Sequence, residues 1–133
     1  MLLEMDQPDL APHIVKDIHE RYQTPWRWTD SEPTLNVLAV VIDNLKLSLE
    51  FAIYDQGFAQ TGPLDLEFVV NGHTLDKVRY DTPGLKHFDK PVPPGWLSAV
   101  VESTIAIKVD KLYVAPADGA KFGIILAKAG LVR

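Results

Sequence analysis

The stretch Leu45-Lys46-Leu47-Ser48-Leu49-Glu50-Phe51-Ala52-Ile53-Tyr54 decides the fold class. Its odd positions are all apolar and its even positions mostly polar. A period of two belongs to a half-buried β-strand, because successive side chains leave the backbone on opposite faces. Leu45, Leu47, Leu49, Phe51 and Ile53 are therefore predicted to face a core. Tyr54, on the other parity, is predicted to point outward as a surface contact.

The same alternation returns in Leu64, Leu66, Phe68 and Val70, with Asp65 and Glu67 between them, and the run ends on Asn71-Gly72. Asn-Gly is a hairpin signal, since a two-residue turn of this kind needs positive φ at both central positions and these residues tolerate it. A two-residue turn pairs Val70 with His73 and Phe68 with Leu75. Strict alternation would then put Lys77 and Arg79 in the core, so a β-bulge near Asp76 and Lys77 is predicted, returning Val78 and Tyr80 to the interior.

Further strands are predicted from Thr34 to Ile42, from Thr104 to Asp110, and over Lys121 to Val132, which is apolar on both faces as a central strand would be. Turn-rich stretches separate them: Asp55 to Pro63, Asp81-Thr82-Pro83-Gly84 and Lys90 to Gly95. The start of the chain admits two readings. Leu10, Ile14, Ile18 and Tyr22 recur at every fourth position behind Asp9, as in a capped helix. Alternatively, His13 to His19 is a strand, the reading favoured by the β character of the rest. Residues 1–12 are read as an N-terminal extension and 13–133 as one domain. The pattern predicts an all-β fold, a two-sheet antiparallel β-sandwich of about eight strands.

Composition narrows the functional classes. Eighteen acidic against thirteen basic residues give a formal charge of −5, and no basic stripe appears. Nucleic acid is excluded as a partner on that ground, because phosphate recognition needs clustered Lys and Arg. The absence of cysteine removes disulfides, thiol nucleophiles and Cys-ligated metals. No apolar run is long enough for a signal peptide or a bilayer span, so membrane insertion is not expected.

Trp26 and Trp28 share a face of an extended segment, with Arg27 on the other. Paired indoles are a platform on which the C–H faces of sugar rings stack, and Arg27 and Asp30 would supply hydrogen bonds to hydroxyls. The competing reading is that both indoles plug the end of the sandwich, as buried Trp usually does. Trp96 is predicted to close the other end of the core. His13, His19, His73 and His87 show no metal-ligand spacing. No catalytic fingerprint is present, and neither convergent carboxylates in a cleft nor a histidine paired to an acid is expected.

Trp26-Arg27-Trp28-Thr29, the Val70-Asn71-Gly72 hairpin, Ser103-Thr104-Ile105-Ala106-Ile107 after Val92-Pro93-Pro94, and Asp118 to Ile124 together resemble the galactose-binding-like jelly rolls, over roughly residues 13 to 131. Hairpins reading V-N-G and later strands reading N-T-I-x-I are frequent in that group, where Ser103 here replaces the usual Asn. The sequence is also similar to uncharacterised bacterial β-sandwich proteins and to accessory domains of cell-surface polysaccharide enzymes. The resemblance implies a noncatalytic, carbohydrate-binding module, exported or held at the cell surface. Such sandwiches often hold a structural calcium, to which Asp55, Asp110 and Asp118 would contribute, but no loop here has calcium-ligand spacing, so no cofactor is expected. The expected site is Trp26, Arg27, Trp28, Asp30 and Tyr54. The alternative is a structural domain that docks another protein domain.

Overall fold

A computed structural model describes residues 1–21 and 25–133. Among these, eleven strands are formed: β1 (Leu2–Glu4), β2 (Ile14–Ile18), β3 (Arg27–Val37), β4 (Lys46–Ile53), β5 (Leu64–Val70), β6 (His73–Tyr80), β7 (Gly84–Pro91), β8 (Ser103–Val109), β9 (Tyr113–Val114), β10 (Lys121–Phe122) and β11 (Ile125–Val132). One helix, α1 (Asp55–Thr61), follows β4.

The strands make the predicted antiparallel sandwich. One sheet is β1 and β3 beside β11, then β4 and β7; the other is β2, β3, β8, β5 and β6. β3 belongs to both, with Arg27 and Trp28 on β11 and Thr34 to Val37 on β8. Proline lacks the ladder N–H, so a sequence reading starts this strand after Pro33. The chain tolerates Pro33 because β2–β3 pairing is broken there: Asp17 takes a φ of 62°, and its carboxylate accepts the Glu32 N–H at 3.0 Å in place of a ladder bond. The strand ends at Val37 instead of Ile42, leaving Leu38, Val40 and Val41 exposed.

β4 follows its period: Leu47, Leu49, Phe51 and Ile53 are buried between the sheets. Phe88 of one sheet stacks on Phe68 of the other at 3.9 Å between centroids, and Phe51 meets Phe68 and Tyr80. The hairpin turns at Asn71 and Gly72, with φ of 49° and 80°. Its bulge lies slightly before the predicted place. Phe68 pairs with Asp76 and Val69 with Thr74, leaving Leu75 as the extra residue, and Val78 and Tyr80 pack on the core as predicted. Trp96 also packs against the core, its ring stacked on His73.

Three expectations are corrected. The Asp55–Pro63 stretch contains a helix, closed by Gly62 at a φ of 73°. Lys121–Val132 is two strands, separated where Gly123 passes against β3. Residues 1–12 are not an appendage: β1 pairs with β11, and Leu3, Met5 and Leu10 are fully buried in the core. Gly130 permits that pairing, since a Cβ there would lie 2.1 Å from the Met1 carbonyl oxygen. His13–His19 resolves as the strand β2 after a short 3-10 turn, while Tyr22, the last member of the helical reading, lies outside the described residues.

Candidate functional site

Register fixes which side chains leave the β3–β11–β4–β7 sheet outward. Arg27 pairs with Leu126 and Leu126 with Phe51, and this row is buried between the sheets. The neighbouring row, Trp28, Ile125, Ala52 and Leu85, therefore faces out. Trp26, of the same parity as Trp28, lies edge-on to it at 6.0 Å between centroids.

Around Trp28 the fold assembles an aromatic cluster set apart from the hydrophobic core. Tyr54 meets Trp28 edge-on at 5.3 Å, Phe122 packs on Trp28 at 4.9 Å, and Tyr113 contacts Tyr54 at 5.5 Å. Each of these rings keeps part of its surface in solvent. Tyr54 occupies the N-cap position of α1, where its backbone is extended and its carbonyl accepts the Phe58 N–H. The sequence places Phe122 in a last strand that is apolar on both faces and not in a surface cluster, and nothing in the sequence near Tyr113 marks it. Both arrive on the β9–β10 hairpin.

That hairpin is held in place from two sides. Gln60 of α1 donates to the Val114 carbonyl at 2.9 Å and accepts the Val114 N–H at 2.8 Å, and Tyr113 lies over Gly57, where a Cβ would come within 3.2 Å of the Tyr113 Cβ. On the other side Thr29, fully buried, accepts the Ile124 N–H on its hydroxyl, which is also 3.0 Å from the Ile124 carbonyl. Gly123 has no room for a side chain, because a Cβ would sit 2.2 Å from the Asp30 carbonyl oxygen.

The polar members behave differently from one another. Asp30 lies at the margin of the cluster, its carboxylate 3.1 Å from the His19 Nε2, and the His19 ring leans on Phe122 at 5.5 Å. Arg27 is a correction. It is buried, its Nε donates to the Met5 carbonyl at 2.7 Å, and its Nη1 donates to the carbonyls of His19 and Glu20. The guanidinium thus fastens the N-terminal segment to β3 and faces away from the indoles.

A histidine paired to an acid, which was not expected, occurs twice among the described residues: His19 with Asp30, and His87 with Asp89 and Glu50. The first pair sits on the rim and the second on an exposed strand face. Of the acids considered for calcium, Asp110 accepts the Asp65 N–H, Asp118 accepts the Ala120 N–H, and Asp55 opens α1. Among the described residues no group of three His, Asp or Glu side chains is placed to hold a metal ion.

No protein-family model and no curated protein matches the chain. Solved structures do. A family 35 carbohydrate-binding module from an environmental isolate superposes with a TM-score of 0.56 at 13% identity, over 100% of this chain and 93% of that one. The chain has the jelly-roll fold of such modules. The carbohydrate-binding module CBM36, solved with calcium and xylotriose, is matched at a TM-score of 0.50 and 11% identity, over 99% of each chain. A family GH115 4-O-methyl-α-glucuronidase with specificity for decorated arabinogalactans is matched at 0.54 and 11%, over 98% of this chain but 18% of that enzyme.

Proposed function

We propose that the protein is a noncatalytic module that binds carbohydrate through the aromatic cluster centred on Trp28. The observation that carries this reading is that Trp26, Trp28, Tyr54, Tyr113 and Phe122 gather outside the core, each with part of its ring in solvent. Indoles inside a core are satisfied by packing. A partly exposed group of this size is an apolar platform with polar margins, complementary to a sugar ring with its apolar C–H face and hydroxyl rim. Asp30 and His19 stand at its edge to accept and donate hydroxyl hydrogen bonds. The jelly-roll fold shared with carbohydrate-binding modules supports the reading.

The test is tryptophan emission during titration with a panel of soluble neutral and acidic oligosaccharides. Binding should shift the emission of the wild-type chain, and Trp26→Ala should weaken that binding at least about tenfold with little change in Tm, since among the described residues its ring makes one aromatic contact, an edge contact with Trp28, and stays partly exposed. A panel without response, or a Trp26→Ala variant that binds as wild type does, overturns the reading. A second reading, docking to another protein, is favoured by one observation: Leu38, Val40, Val41, Val100 and Val101 are exposed on loops that β3–β8 pairing at Val37 and Ser103 brings to one end of the molecule. Glycan binding that survives Val40→Asp unchanged separates the two surfaces.

A further inference from the structure

We infer that the binding surface does not stop at the aromatic cluster but crosses the whole outer face of its sheet, and that it takes a chain of neutral sugars running perpendicular to the strands. This rests on the carbohydrate reading above and goes beyond it in ligand length, direction and charge. Two parallel rows of side chains carry it.

The first row is Trp28, Ile125, Ala52 and Leu85, each paired with the next across β3, β11, β4 and β7. It is apolar throughout. Leu85 ends it on the edge strand with 78% of its surface exposed. A lone exposed leucine needs no explanation, but one in register with a tryptophan three strands away extends a continuous strip. Three inter-strand spacings make the row about 14 Å long, more than a single ring can cover.

The second row is Glu4, Lys128, Glu50 and His87, paired in the same way across β1, β11, β4 and β7. It lies two residues along the strands, about 7 Å from the first. A bulge between Leu126 and Lys128 gives β11 this arrangement: Ala129 and Leu131 return to the interior, and Lys128 faces out opposite Glu50. Lys128 is 3.7 Å from Glu4, and His87 is 3.8 Å from Glu50. An apolar strip with charged hydrogen-bonding groups beside it fits a sugar chain lying flat on the strip, its hydroxyls turned to one side.

Charge selects among sugars. The polar row and its neighbours hold Glu4, Glu50 and Asp89 against Lys128, Lys46 and a histidine, and the rim adds Asp30, so the acids outnumber the lysines four to two. Uronate chains would meet net repulsion there, so the chain is neutral.

The experiment measures affinity for neutral cello-, xylo- and galacto-oligosaccharide ladders of one to six rings and for polygalacturonate, using wild type and Leu85→Ser. Affinity should climb with the first few rings and then level off, and polygalacturonate should bind more weakly than the ladder that binds best. Leu85→Ser should lower affinity for the longer members roughly fivefold, as losing part of a leucine's burial would, and leave the monosaccharide unaffected. Affinity independent of chain length, or unchanged in Leu85→Ser, overturns the strip while Trp26-dependent binding stands. Preference for polygalacturonate overturns the neutral assignment. No binding to any ladder or to polygalacturonate overturns this inference and the carbohydrate reading together.

Discussion

Arg27 shows how much of a site depends on one residue's parity. It sits between two tryptophans in sequence, yet strand alternation sends it inward, where its planar fork serves carbonyls from two separate segments. Its substitution should therefore be a stability lesion. Arg27→Met should destabilise the fold by about 3 kcal/mol, because the buried Met5 carbonyl and the partly buried carbonyls of His19 and Glu20 lose a charged donor, and Arg27→Lys should rescue little, since one ammonium cannot reach diverging acceptors. Urea unfolding gives the loss; glycan affinity of the protein that remains folded should match wild type, and a selective loss of affinity would return Arg27 to the binding face. Tyr80 makes a second residue-scale prediction. Burial against Phe51, reinforced by the negative charge of Asp76, pushes its phenol above the usual tyrosine value. The folded state thus holds the proton more tightly than the unfolded one. The resulting stability is present below about pH 10 and is lost as pH rises through the folded value. Tyr80→Phe should remove that part of the alkaline loss, seen as a smaller fall in Tm above pH 10 than in wild type.

At the scale of elements, α1 and the β9–β10 hairpin act as one support for the rings of Tyr54, Tyr113 and Phe122. Gln60 holds the hairpin to the helix by two hydrogen bonds to a single residue, Val114. Gln60→Ala should cost about 1 kcal/mol, little for an exposed pair of bonds, but should free Tyr113 to move. The expected signature is a diminished near-UV circular dichroism band with unchanged far-UV signal, together with weaker glycan binding. An unchanged near-UV band would mean that Gly57 and Thr29 suffice. These elements are also where sequence reading ends. β4, β5 and β8 announce themselves because each has one buried and one wet face, and the bulge in β6 follows from counting around Asn71-Gly72. Tyr54 is legible as an outward residue by the same alternation, whereas for Trp26 and Trp28 alternation gives a shared face without saying whether it points to core or solvent. α1 has no such signature, since seven residues with one core-facing Phe58 make no helical period. Tyr113, Phe122 and His19 join the site only through pairings between segments remote in sequence, which no local pattern records.

For the whole molecule the first twelve residues matter most, because their weak local pattern hides a structural role. β1 covers part of the edge of β11 that β3 leaves free, and Arg27 reaches back to the Met5 carbonyl, so the segment is tied to both β11 and the start of β3. Leu3, Met5 and Leu10 are fully buried. At about 1.5–3 kcal/mol each, their burial together is comparable to the whole stability of a small domain, about 5–15 kcal/mol. Removal of residues 1–12 should therefore abolish cooperative unfolding and expose apolar surface, read as loss of the calorimetric transition and gain of dye binding. The conservative variant Leu3→Ala should instead keep the transition and lower stability by about 2–5 kcal/mol. A truncated chain that melts cooperatively near the wild-type temperature would show that the jelly roll closes without its first strand, and that Arg27 finds other acceptors when the Met5 carbonyl is gone.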